Sequence, residues 1–242
     1  MKDTPRITAI RKQWLLNSFA AGKKIRFSNG KLETYAASPP KGNLEEIIAA
    51  VREAMQPKIG EMVPGQGIYL GTWDPRDKQG NSLGKIFNVY AAPQDLTNAA
   101  GRKETFKYDG ALSRIAALKN WHGHDGTSYD TDKELYKALK DGSYKGGWII
   151  PPGELLHGKD LYGKKSQIDN LYDHKDKGAL KNSFTATIST GYTYPEWYWS
   201  STQPHNDPSA MQSVNFTNGT QSRFFRDILQ LNCRPVRLVA AK

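Results

Sequence analysis

EWYWSSTQPHND, residues 196–207, is the stretch on which the fold turns. Three consecutive aromatics, Trp197, Tyr198 and Trp199, run into Ser200, Ser201 and Thr202 and then into a polar loop broken by Pro204. In a strand, side chains alternate between faces, so Trp197 and Trp199 share one side and Tyr198 takes the other. The hydroxyl run does not read as a nucleophile. No Gly-x-Ser-x-Gly elbow surrounds it, no base is identifiable near it in sequence, and a hydroxyl without a positioned base attacks poorly.

Outward from this stretch the pattern stays β. AMQSVNFT (210–217) and TQSRFF (220–225) flank Asn218-Gly219, the clearest hairpin signal in the chain, and CRPVRLVA (233–240) closes the series. Upstream, GGWIIPP (146–152), GKIFNVYAAP (84–93) and GQGIYLGTWD (65–74) read as further strands. Between them lie two predicted helices. One runs over 109–119 with Leu112, Ile115 and Ala116 on one stripe; the other runs over 131–139, with a Thr131/Glu134 capping box and Gly142 as its stop. Residues 6–19 and 43–55 have helical periodicity, and RFSNGKLETY (26–35) predicts a hairpin around Asn29-Gly30. Helical periodicity then gives way to Pro and Gly in QPKIGEMVPGQG (56–67), a boundary signal. The chain therefore reads as α+β: a helical and hairpin element over 1–60, expected to serve attachment or oligomerisation, and a domain over 61–242.

Charge bounds the partners. The 34 Lys and Arg exceed the 24 Asp and Glu by 10, which favours an acidic partner such as nucleic acid, an anionic glycan or a membrane surface. The basic residues are scattered, without long like-charge runs, so a nucleic-acid role rests on net charge alone. Cys233 is the single cysteine, which excludes an intramolecular disulfide and any multi-thiolate metal site. The first twenty residues carry charges throughout and no apolar stretch of signal-peptide type, and no apolar run approaches a membrane span. The expectation is a protein made in the cytoplasm, with a place on a phage particle as one destination.

Four motifs occur in order: GGWIIPPGELL (146–156), YWSST (198–202), VNFTNGTQS (214–222) and CRPVRLV (233–239). Together they resemble the C-terminal domain of collagen-like bacterial adhesins, catalogued as domain of unknown function 1566, over residues 65–239. That family is similar to C-type lectin folds and to their formylglycine-generating-enzyme variant, the scaffold of phage and retroelement-diversified receptor-binding proteins. The resemblance implies a C-type lectin-like fold of short strands, two flanking helices and long loops. It makes the YWSST strand internal, so Trp199 and Trp197 become core residues. It also implies that IYLGTW pairs with RPVRLV, and that residues 203–227 are displayed. One core is then expected to hold Trp73, Trp148, Trp199, Val214, Phe216, Val236 and Leu238.

The function implied is non-catalytic recognition of a cell-surface protein or glycan by a homo-oligomer. The displayed patch is expected to contain Tyr198, Gln203, His205, Asn206, Arg223, Phe225, Arg226 and Asp227, since aromatic and arginine side chains dominate binding hot spots. One of Phe224 and Phe225 is expected in the core by alternation. The loop QPHND (203–207) is superficially similar to a lectin calcium loop, but it offers one carboxylate where calcium needs six to eight oxygens. No cofactor is expected, with calcium or another metal the alternative. The formylglycine-generating relatives use a cysteine pair, whereas Cys233 stands alone and reads as a small buried hydrophobe. For a metal enzyme, the weak candidates are His122, His124 and Asp125 in NWHGHDGTSYDTD (120–132), a string that equally suits a turn between helices.

Overall fold

The computed structural model describes residues 23–28, 31–36, 56–76, 81–158, 170–184, 193–204 and 207–241. The chain divides into two compact units, Met1–Gln56 and Pro57–Lys242, at the head of the Pro- and Gly-rich stretch. In the first unit, β1 (Lys23–Ser28) pairs antiparallel with β2 (Lys31–Ala36), with Ser28 opposite Lys31, the register the Asn29-Gly30 hairpin requires. The helices expected over 6–19 and 43–55 lie outside the described residues.

The second unit is α+β, with two four-stranded sheets among the described residues. The first comprises β3 (Met62–Val63), β4 (Gly67–Trp73), β5 (Phe87–Ala91) and β10 (Val236–Ala240), in the order β10-β5-β4-β3. The final strand therefore pairs with β5, and the expected partnership of IYLGTW with RPVRLV does not form. The reason is local: consecutive strands pair most readily, so β5 takes the edge of β4 and leaves its own far edge for β10. The second sheet comprises β6 (Thr193–Trp199), β7 (Ala210–Asn215), β8 (Gln221–Phe225) and β9 (Gln230–Asn232), in the order β8-β7-β6-β9. Its pairs are antiparallel except β6 with β9.

Helix α1 (Tyr108–Ala116) ends before the expected residue 119, and α2 (Asp132–Asp141) stops at Gly142, whose φ of 79° closes the helix in the left-handed region. The Thr131 side chain makes no cap bond. The Glu134 carboxylate instead accepts from the Asp130 N–H at 2.8 Å, one residue upstream of the expected box. Two short helices, α3 (Gly153–His157) and α4 (Leu171–His174), have no counterpart in the sequence reading. The segment 146–152 is not a strand of a sheet. Trp148 and Ile149 make only isolated bridges, to Gly126 and Val236.

Burial explains the aromatic run. Cross-strand register places Trp199 opposite Ser213 and Tyr198 opposite Val214. One face of this sheet sends Trp199 and Met211 into a cluster with Tyr108, Ala111 and Ile115 of α1 and with Trp148. The other sends Tyr198 and Val214 into a cluster with Ile68, Trp73, Val236 and Leu238 of the first sheet and with Leu135 and Leu139 of α2. All seven residues expected in a single core are buried, but Trp148 and Trp199 belong to one cluster and the other five to the second. A sheet covered on both faces makes two cores, and each large apolar side chain moved from water contributes about 1.5–3 kcal/mol. For the same reason β7 is buried along its whole length, so residues 203–227 are not displayed as a block. No described helix is long and apolar enough to cross a membrane.

Candidate ligand-recognition surface

Strand β8 is an edge of its sheet, and its phase follows from the hairpin. Asn215 N–H donates to the Thr220 carbonyl at 2.8 Å, and Arg226 N–H to the Ser209 carbonyl at 3.0 Å. Even-numbered residues therefore bond toward β7, and the backbone groups of Gln221, Arg223 and Phe225 point the other way. The connection spans residues 216–220 instead of a two-residue turn. The Asn215 side chain accepts from Thr217 N–H at 2.8 Å, and Gly219, at φ 76°, takes the left-handed position.

Side chains divide likewise. Phe224 turns in, edge-on to Trp197 at 4.8 Å and stacked on Tyr194 at 5.4 Å. Arg223 is exposed, Phe225 is 51% exposed, and Ile228 in the following turn is also 51% exposed. Asp227 beside them is exposed. Two large apolar side chains within four residues of each other, flanked by both charges, form an apolar surface with a polar border.

The turn carrying this surface is held from beneath by Arg226. Its guanidinium binds the carboxylates of Asp109 and Asp130, with Nε 2.9 Å from Asp109 Oδ1, and lies 5.1 Å over the Tyr108 ring. Tyr108 N–H donates to the Arg226 carbonyl at 2.9 Å, and the Tyr108 hydroxyl to the Asp130 carbonyl at 2.8 Å. Hydrogen bonding to Asp130, and then to Asp109, pushes the guanidinium further above its ordinary range. Arg226, expected as a ligand contact, has a side chain only 19% exposed and acts as a clamp, because two aspartates from distant segments converge on it. Nothing local in the sequence announces Asp109 and Asp130, and Ile228 lies one residue beyond the stretch expected to be displayed.

Tyr198 is also corrected. It is 1% exposed, and its hydroxyl donates to Asp95 Oδ2 at 3.0 Å. Asp95 in turn accepts from Arg234 Nε at 2.7 Å, a pair buried at 1% and 0%. Burial first, then the Asp95 carboxylate, drives the phenol far above its usual range. Alternation placed Tyr198 on the correct face, but that face meets a second core instead of solvent. Gln203 is half-buried, its Nε2 donating to the Pro208 carbonyl at 3.3 Å to close the loop. His205 and Asn206 lie outside the described residues.

The His124 and Asp125 side chains of the loop 120–132 are bonded within the protein. His124 Nε2 donates to the Gly65 carbonyl at 2.6 Å, the His122 ring stands 4.5 Å from that of Trp121, and Asp125 Oδ1 accepts from Asn120 N–H at 2.9 Å. Among the described residues no three His, Cys, Asp or Glu side chains gather in metal-binding geometry, so the expected candidate trio does not converge. Ser200 Oγ donates to the Gln212 carbonyl, and Thr202 Oγ1 accepts from Gly153 N–H, so both hydroxyls tie the segment that follows β6 to β7 and α3. Cys233 is fully buried, and burial pushes its thiol up. No protein-family model and no curated protein matches the chain. The family resemblance therefore rests on the four ordered motifs.

Proposed function

We propose that this chain is a non-catalytic recognition protein with a C-type lectin-like domain, which binds a cell-surface protein or glycan through the β8 surface. The observation that carries this reading is the exposure of Phe225 and Ile228 beside Arg223 and Asp227 on an edge strand whose turn is clamped by Arg226. A surface held in one conformation before binding loses less entropy on association, which favours affinity. Phe225 and Arg223 can stack on a sugar face or fill a protein pocket, and neither role needs a metal. In the same reading the first unit attaches the module to a phage tail or related particle, or assembles it into a homo-oligomer, and the protein is a retroelement variable protein or its relative.

The test is Arg223→Ala and Phe225→Ala measured for binding to intact host cells and for melting temperature. Binding is expected to fall while stability changes by about 0.5 kcal/mol or less, as for exposed positions generally. Parental binding by both variants would overturn the reading. The excess of 10 positive charges favours one second reading, a nucleic-acid accessory protein. That reading requires DNA affinity to fall steeply with salt.

A further inference from the structure

Where β6 leads toward the hairpin loop, a cleft of about 240 Å³ opens with an aromatic floor and a polar rim. Phe184, Tyr198 and Phe216 form the floor, with ring centroids 4.7 Å apart for Phe184 and Phe216 and 4.4 Å for Tyr198 and Phe216. Phe184, the half-buried member, carries the Arg234 guanidinium over its ring, 4.3 Å from the ring centre. The rim carries Glu196, Asn182 and Thr217, together with the Lys175/Asp176 pair.

The charges on that rim are not equivalent. Lys175 is committed: its Nζ lies 2.7 Å from Asp176 Oδ2 and over the Tyr172 ring at 5.5 Å. Glu196 is half-buried, and its carboxylate has no hydrogen-bond or ion-pair partner among the described residues. A carboxylate on a cleft rim without a cation of its own gains an ion pair from a ligand that brings one. The Phe184 ring already carries the Arg234 guanidinium, so it offers a bound group apolar contact, and the charge pairing rests on Glu196. The chain as a whole carries a net +10 and repels cations at long range, so any cation binding here must come from local contacts. The cleft is smaller than the roughly 300–1,000 Å³ of sites for drug-sized ligands, which limits the occupant to one small group.

We propose that this cleft binds a small organic ammonium group, with Glu196 pairing its charge and Phe184 packing against its methyl or methylene surface. The group is either a free choline-type headgroup or the end of a lysine or methyl-lysine side chain. No residue of the cleft belongs to the exposed β8 surface, so this site and the surface stand or fall separately.

The experiment titrates the full chain with choline chloride and with trimethyl-lysine amide, by calorimetry and ligand-observed NMR. Saturable binding at about millimolar Kd or tighter is expected for at least one of them, and the stronger names the source. Glu196→Gln should weaken that binding about tenfold, and 3,3-dimethylbutan-1-ol, which has the shape of choline without its charge, should bind about tenfold more weakly than choline. Absence of saturable binding by both cations overturns the proposal. So does unchanged affinity in Glu196→Gln, equal binding of the neutral alcohol, or displacement of the cation by N-acetylglucosamine. Circular dichroism checks the fold of Glu196→Gln; if that variant does not fold, the comparison of choline with the alcohol on the parent protein decides the matter.

Discussion

Replacing Arg234 with Met isolates the most deeply buried charge pair described. The guanidinium donates to Asp95 Oδ1 at 2.7 Å, to the Ala92 carbonyl at 3.2 Å, and to Ser183 Oγ and its carbonyl at 3.1 and 2.7 Å. Arg234→Met keeps most of the side-chain volume and removes all four bonds, leaving the Asp95 carboxylate in the interior with the Tyr198 hydroxyl as its remaining partner among the described residues. Breaking one side of such a pair costs about 3–5 kcal/mol, chiefly through the charge left behind. With a urea m value of about 2 kcal/mol/M, the unfolding midpoint should fall by roughly 1.5–2.5 M at unchanged m. Adding Asp95→Asn removes that stranded charge while the carboxamide oxygen still accepts from Tyr198. The double variant should therefore be more stable than the sum of the two single losses predicts, by about 1–3 kcal/mol. A cost below about 1 kcal/mol for Arg234→Met, or losses that add within about 0.5 kcal/mol, would refute the assignment of the pair as a mutually dependent buried unit.

Two further outcomes follow from the same geometry. Trp199 is fully buried, edge-on to Tyr108 at 5.6 Å, with Nε1 donating to the Phe106 carbonyl at 2.7 Å; Trp199→Ala should cost about 3–5 kcal/mol in urea unfolding, and a loss under 1 kcal/mol would contradict its place in the core. Partial shielding against the Trp121 ring, 4.5 Å away, holds the imidazole of the otherwise exposed His122 below its ordinary value of 6.5, so the unfolded chain takes up that proton more readily. The stability contributed by neutral His122 is complete above pH 6.5 and is lost as pH falls through the lower folded value. The melting temperature of His122→Gln should accordingly decline less steeply than the parent's on acidification below that point, and parallel curves would exclude the effect.

What the sequence makes legible here is parity and local chemistry. The two hairpins announced by Asn-Gly form, because turn chemistry is decided within a few residues. Alternation assigned Trp199 and Tyr198 to opposite faces correctly, and Phe224 and Phe225 likewise. Alternation carries no information about what covers a face, however. Tyr198 was expected at a ligand because a strand with one buried face usually shows the other to solvent, whereas here Asp95 and Arg234 meet it from elsewhere in the chain. Arg226 has the same history: its type and its exposed neighbours suited a binding patch, and only the approach of Asp109 and Asp130, near one helix's start and before another, turned it into a clamp. Side chains whose role is set by partners far away in sequence are therefore the ones misread. The β8 surface survives as a candidate because Arg223 and Phe225 owe their exposure to something the sequence does encode, the phase of a strand leaving a hairpin whose other face is anchored by Phe224.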